Sequence, residues 1–181
     1  MKVLISGGAK NGKSSYAQDL AVALSKGGTH YYVATMIPAD DEDRERIRLH
    51  LLDREGMGFE TVECGRDILK CLELADPSGT FLLDSATALL LNELFPDPMS
   101  CEMDVAAANR CGDELVKFAE SVANAVIVSD YIYSDAARYD EVTETYRRCL
   151  ARIDRMLAKA CDVVLEFSSG NCIVHKGVLE F

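Results

Sequence analysis

The stretch Lys2-Val3-Leu4-Ile5-Ser6 runs straight into Gly7-Gly8-Ala9-Lys10-Asn11-Gly12-Lys13-Ser14, and a helical pattern follows at once. This is the form G-x-x-x-x-G-K-[ST], set between an apolar strand and a helix start. Glycines let backbone N–H groups converge on phosphate oxygens, because no Cβ blocks the turn. Lys13 is spaced to reach the β/γ-phosphates of a nucleotide, and the Ser14 hydroxyl is spaced to hold Mg²⁺. The helix behind them turns its positive dipole end toward the anion. An ordinary tight turn has no use for Lys13-Ser14 at this spacing.

Two further sets of residues suit the same chemistry. Thr80-Phe81-Leu82-Leu83-Asp84 is an apolar run that ends in a carboxylate, a second place from which Mg²⁺ can be held. An Asp there also suits a helix cap, and Ser85 could serve as that cap. Ala125-Val126-Ile127-Val128-Ser129-Asp130 repeats the arrangement, so Asp130 is a candidate for a substrate contact or a base at the carboxyl edge of a sheet. Of the three histidines, His30 precedes a strand and His175 ends one, which suits surface or edge positions. His50 differs, because Arg46, His50 and Arg54 fall at i, i+4 and i+8 on one helical face. Two cations flanking an imidazole disfavour its protonation and leave a ring nitrogen free as a nucleophile toward phosphorus. The arginines could also clamp phosphate oxygens. The competing reading is a solvated charged helix in which Glu42 and Arg46 form an ordinary i,i+4 pair.

The elements that must position these groups alternate as a parallel α/β sheet requires. Strands are expected at 2–6, 31–34, 60–63, 80–83, 125–129, 163–167 and 172–175. Helices are expected at 13–25, about 40–54, 66–74, 85–95, 103–122 and 141–160, from apolar spacing near 3.6. Ser168-Ser169-Gly170-Asn171 reads as a turn, so the last two strands should form an antiparallel hairpin at one sheet edge. Pro96-Asp97-Pro98 should stop the helix before it. With 181 residues and no repeat or linker in view, 1–181 is expected to be a single P-loop NTPase-type domain.

Net charge is −11, which argues against nucleic-acid and membrane-surface partners, since both present phosphate. A nucleotide site must then be a local positive pocket. No secretory signal or membrane span is evident, and a cytoplasmic location is expected. Cys64, Cys71, Cys101, Cys111, Cys149, Cys161 and Cys172 are scattered without a C-x-x-C pair. They read mostly as small buried hydrophobes in a reducing compartment.

The chain resembles the bifunctional adenosylcobinamide kinase / adenosylcobinamide-phosphate guanylyltransferase family of cobalamin biosynthesis. The resemblance is carried by the loop 7–14, by Tyr32-Val33-Ala34-Thr35, and by Asp40-Asp41-Glu42 ahead of Arg46-Ile47-x-x-His50 and Arg54. Thr61-Val62-Glu63, Leu82-Leu83-Asp84 with Asn92, and the stretch around Ala160-Cys161-Asp162 and Gly170 extend it over nearly the whole chain. It implies a RecA-like P-loop NTPase fold with a mostly parallel sheet flanked by helices. It also implies two reactions. ATP or GTP would phosphorylate the aminopropanol hydroxyl of adenosylcobinamide. GTP would then load GMP covalently onto His50 for transfer to adenosylcobinamide phosphate. By the same resemblance, nucleotide contacts fall on Ser6, Gly7, Gly8, Ala9, Lys10, Asn11, Gly12, Lys13 and Ser14, on Ala34, Thr35 and Met36, and on Arg54, Glu63 and Asp84. His50 and Lys13 would be catalytic, Ser14 and Asp84 would hold Mg²⁺, and the assembly would be a homotrimer. The chain departs from the family at Lys10-Asn11, where Arg-Ser is usual, and has Phe59 where Trp is usual. From Ser129 to Asp135 it reads Ser-Asp-Tyr-Ile-Tyr-Ser-Asp in place of Asn-Glu and a glycine-rich stretch. Two rival readings stand beside this one: a kinase of another small metabolite in which His50 is a surface residue, and a non-catalytic nucleotide-binding module.

Overall fold

A computed structural model describes residues 1–97, 100, 102–133 and 136–179. Cys101, and the Pro98, Ser134 and Asp135 of the segments singled out above, lie outside the described residues. The order is β1 (Lys2–Gly7), α1 (Lys13–Ser25), β2 (His30–Ala34), α2 (Asp41–Asp53), β3 (Glu60–Glu63) and α3 (Cys71–Leu74). It continues with β4 (Thr80–Asp84), α4 (Ala86–Leu94), α5 (Val105–Ser121), β5 (Asn124–Asp130), α6 (Glu141–Ala160), β6 (Val163–Ser168) and β7 (Asn171–Lys176). The strands form one sheet in the order β3-β2-β4-β5-β1-β6-β7. Every pairing is parallel except β6 with β7. The expected mostly parallel α/β sheet with an antiparallel edge hairpin is therefore what the chain forms. Ser169 (φ +51°) and Gly170 (φ +76°) make the two-residue turn of that hairpin, both in the left-handed region.

Alternate side chains of the central strands enter two cores. Leu4, Val33, Phe81, Leu83 and Ile127 pack with α4, α5 and α6, where Leu89, Leu115, Phe118, Ile153 and Leu157 are buried. Val3, Ile5, Leu82, Val126 and Val128 pack on the opposite face against Ala17, Leu20 and Ala21 of α1. Strands covered on both faces read as continuous apolar runs, as β1, β4 and β5 do. Among the described residues no helix is long and apolar enough to cross a membrane.

Two expectations change. The helix expected over 66–74 is a 3-10 turn at Ile68–Lys70 and a single α turn, α3. Asp67 sits at φ +50°, which no residue inside an α-helix can adopt. The side chain of Arg66 meanwhile reaches the carbonyls of Asn92 and Pro96, at 3.0 and 2.8 Å. His30 is not a free edge residue. Its ring lies within 3.1 Å of the Gly28 carbonyl and 2.9 Å of the Met57 carbonyl, edge-on to Phe59. The cysteines behave largely as expected: Cys64, Cys71, Cys111 and Cys161 are buried, whereas Cys149 is half-buried and Cys172 is exposed.

Candidate functional site

Parallel pairing brings the carboxyl ends of β1, β2, β3, β4 and β5 to one edge, where a cleft of about 970 Å³ opens. Its floor is the loop between β1 and α1. Four of the longer helices begin with a side chain that caps the first turn: Asp40, Ser85, Asp104 and Asp140 accept from backbone N–H groups of α2, α4, α5 and α6. α1 has no such side-chain cap, and Gly12 at φ +88° leads into it. First-turn N–H groups left this way are an anion site. Gly7 is required by space rather than by φ. A Cβ there would stand 2.5 Å from Asn11 Nδ2 and 2.7 Å from the Phe167 carbonyl.

The side chain of Asn11 explains that crowding. Its Nδ2 donates to the Phe167 carbonyl at 2.7 Å, and its Oδ1 accepts from the Lys13 backbone N–H at 3.2 Å. The residue therefore ties the loop to β6. Lys13 is buried, 4% exposed, and its Nζ donates to the Gly8 carbonyl at 3.0 Å and pairs with the Asp130 carboxylate. Burying an ammonium is costly without partners, and these two compensate it.

Asp84 ends β4, separated from β1 by β5 in the sheet order. Burial pushes its carboxyl above the usual carboxylate range. The hydroxyl of Tyr32, donating at 3.0 Å, pulls it back, as do His50 and Lys13 nearby. His50 of α2 and Asp84 both line the cleft with the loop. Arg46, His50 and Arg54, expected on one face of α2, all line the cleft, the last from just past the helix end. Arg46 pairs with Asp43 at 3.7 Å, not with Glu42. Arg54 lies past the end of the helix, where its guanidinium covers the Tyr32 ring at 3.5 Å and donates to the His50 carbonyl at 2.9 Å. The helix stops at Asp53 because Arg54 itself supplies the cap.

The cleft brings together Ala9, Lys10, Asn11, Gly12, Lys13, Ser14, Ala34, Met36, His50, Arg54, Glu63 and Asp84. Ser6, Gly7 and Gly8 form the strand end and first bend beneath it. Thr35 has no exposed surface, so Ala34 and Met36 make that wall. Its hydroxyl accepts from the Ser85 N–H at 2.7 Å and donates to the Ser85 carbonyl at 2.9 Å. Asn92 holds the same turn from behind, through the Thr35 and Gly65 carbonyls. Five lysines and arginines (Lys10, Lys13, Arg44, Arg46, Arg54) face four acids (Asp53, Glu63, Asp84, Asp130) along the walls. The lining thus carries one more cation than anion, in a chain of net charge −11.

Sequence reasoning passes over three residues. Tyr32 reads in sequence only as part of a strand, yet it joins Asp84 to Arg54. Gln18, 4% exposed, lines the cleft from α1; its position one turn beyond Ser14 is the available signal. Thr87 accepts the Asp130 N–H at 2.8 Å, and no local pattern signals that contact.

Among solved structures the chain resembles the flagellar accessory protein FlaH from Methanocaldococcus jannaschii. The TM-score is 0.51 at 12% identity, covering 97% of this chain and 78% of that one. It also resembles a second solved structure, an ATPase domain, with a TM-score of 0.54 at 11% identity, covering 97% and 76%. At such identities the likeness is one of fold. In sequence the chain is 30% identical to the bifunctional adenosylcobalamin biosynthesis protein CobU of Salmonella typhimurium, over 94% of this chain and 97% of that protein. The protein of the same name from Escherichia coli K12 is 26% identical over the same shares. Residues 3–174 match the family model described as cobinamide kinase / cobinamide phosphate guanyltransferase, and the chain belongs to that family of enzymes.

Proposed function

We propose that this protein phosphorylates the aminopropanol hydroxyl of adenosylcobinamide with ATP or GTP, then transfers GMP from GTP to adenosylcobinamide phosphate through a covalent guanylyl-His50. The observation that carries this reading is that His50 lines the same cleft as the Lys13 loop and Asp84.

In this reading the backbone of residues 9–14 wraps the β- and γ-phosphates, and Lys13 neutralises charge on them. Arg54 and Glu63 belong to the nucleoside side, at the ends of α2 and β3. Ser14 and Asp84 would hold Mg²⁺. The donor set fits that ion: both groups are hard oxygens, and Asp84 is a carboxyl pushed up by burial that a cation would compensate. Among the described residues no group of three or more His, Cys, Asp or Glu could hold a metal by itself, so the nucleotide's phosphates would complete the shell. Bound there, Mg²⁺ supplies charge neutralisation at the transferring phosphorus.

The two half-reactions differ at the nucleophile. In the second, a ring nitrogen of His50 bonds to the α-phosphorus while the bond to the bridging oxygen breaks and pyrophosphate leaves. A phosphate oxygen of adenosylcobinamide phosphate then attacks the same phosphorus, the nitrogen–phosphorus bond breaks, and His50 is restored.

The test is incubation with α-labelled GTP and Mg²⁺ followed by denaturation. Acid-labile, alkali-stable label is expected on the wild type and absent from His50→Ala, which keeps phosphorylation; Lys13→Ala loses both. Phosphorylation without any label in the wild type would assign a plain small-metabolite kinase. Loss of both activities in a folded His50→Ala protein would contradict the division of roles.

A further inference from the structure

Phosphorylation of a hydroxyl releases a proton, which must pass to a base. Four carboxylates line the cleft. Asp84 is engaged by Tyr32. Glu63 ends β3, three strands from β5 in the sheet order, about 14 Å away at the usual spacing between strands. Asp53 closes α2. Asp130 is the acid in contact with the Lys13 ammonium. It ends β5 opposite Gly7 of β1, and Thr87 accepts its backbone N–H. The carboxylate is about one-third exposed, open to a ligand in the cleft.

We propose that Asp130 accepts the substrate hydroxyl proton during phosphorylation, an inference that rests on the kinase half of the function proposed above. In the resting protein the Lys13 Nζ is shared between Asp130 and the Gly8 carbonyl. A γ-phosphoryl group bound by Lys13 takes over part of that ammonium's hydrogen bonding. Asp130 is then a carboxylate next to an anion, an arrangement stable only with a proton donor between them. The entering hydroxyl is such a donor. As its oxygen bonds to the γ-phosphorus, the bond from that phosphorus to the β–γ bridging oxygen breaks, and the electron pair leaves on the nucleoside diphosphate. The hydroxyl proton passes to a carboxylate oxygen of Asp130. The guanylyl half-reactions have no counterpart to this step, because a ring lone pair and a phosphate oxygen attack without a proton to lose.

That difference makes the test specific. For Asp130→Asn, three quantities are measured against the wild type: kcat for corrinoid phosphorylation, the rate of His50 labelling by α-labelled GTP, and the affinity for a fluorescent nucleotide. Phosphorylation is expected to fall by about 10²–10⁴. Labelling should change less than about fivefold. Nucleotide should bind at least as tightly, because Lys13 no longer shares its charge with a carboxylate. Asp130→Glu should recover at least tenfold of the lost kcat. Phosphorylation by Asp130→Asn within tenfold of the wild type overturns the proposal. So does a parallel loss of labelling and nucleotide binding, which would make the residue a prop for the loop. If the Asn protein fails to fold, Asp130→Ser carries the same expectations. A wild type that phosphorylates but never labels refutes the guanylyl reading and leaves this test intact.

Discussion

Replacing Arg54 with alanine should detach α2 from the body while leaving the sheet intact. None of the 13 residues of α2 is buried, and an isolated helix of this length is marginal in water. Its exposed pairs, Arg44–Asp41 and Arg48–Glu45, contribute little. What fastens its end is Arg54, itself 7% exposed, stacked on Tyr32 and bonded to the His50 carbonyl. A desolvated guanidinium on a tyrosine face contributes about 1–2 kcal/mol, and a charged donor on a carbonyl about 1.5 kcal/mol. Only the first joins α2 to the sheet, because the second runs from Arg54 back onto its own helix end, so docking should weaken by about 1–2 kcal/mol, or about one decade. Native-state hydrogen exchange on Arg54→Ala should show amides of 45–53 losing about tenfold in protection. Amides of β1 and β5 should be unchanged. His50 labelling by GTP should fall by a similar factor, and Arg54→Lys, which keeps charge but not the planar stack, should lie between. Wild-type protection in α2 of the alanine variant would refute the argument, as would equal losses in the sheet.

Gly7→Ala places a methyl 2.5 Å from Asn11 Nδ2 and 2.7 Å from the Phe167 carbonyl. The backbone cannot yield there, so a loss of about 1–3 kcal/mol in urea unfolding is expected, with nucleotide affinity at least tenfold weaker. Affinity equal to wild type would show the loop to be adaptable. Asp154 of α6 is 5% exposed; burial pushes its carboxyl up, opposed by the Tyr133 hydroxyl that donates at 2.7 Å. The folded protein therefore holds this proton at higher pH than the unfolded chain does. Stability falls as pH rises from about 3.9 through the raised value. Asp154→Asn, which cannot ionise, should gain on the wild type between pH 4 and pH 7, and a difference independent of pH would refute this.

The parts of the site that were legible are those written in one stretch of chain. Residues 7–14 declare a phosphate loop locally, and apolar runs bounded by turn residues gave the strands and the limits of α1 and α6 to the residue. Runs of this kind fix which segments are strands; they do not fix strand order. The Lys13–Asp130 pair and the Tyr32–Asp84 bond both depend on order, since the first joins the start of α1 to β5 and the second joins β2 to β4, elements that meet only once the sheet is assembled. Asp67 misled for the opposite reason: its neighbours favour helix, while the long-range bonds of Arg66 to the end of α4 hold the chain in another course. α2 is the informative case. None of its side chains is fully buried, so core packing does not explain its place in the fold. Its attachment runs through a cleft-lining arginine bonded to the backbone of a cleft-lining histidine. A helix whose end is held by a cleft-lining arginine is positioned by the site's geometry, which is why the R-x-x-x-H-x-x-x-R spacing said more about the chemistry of this chain than about its packing.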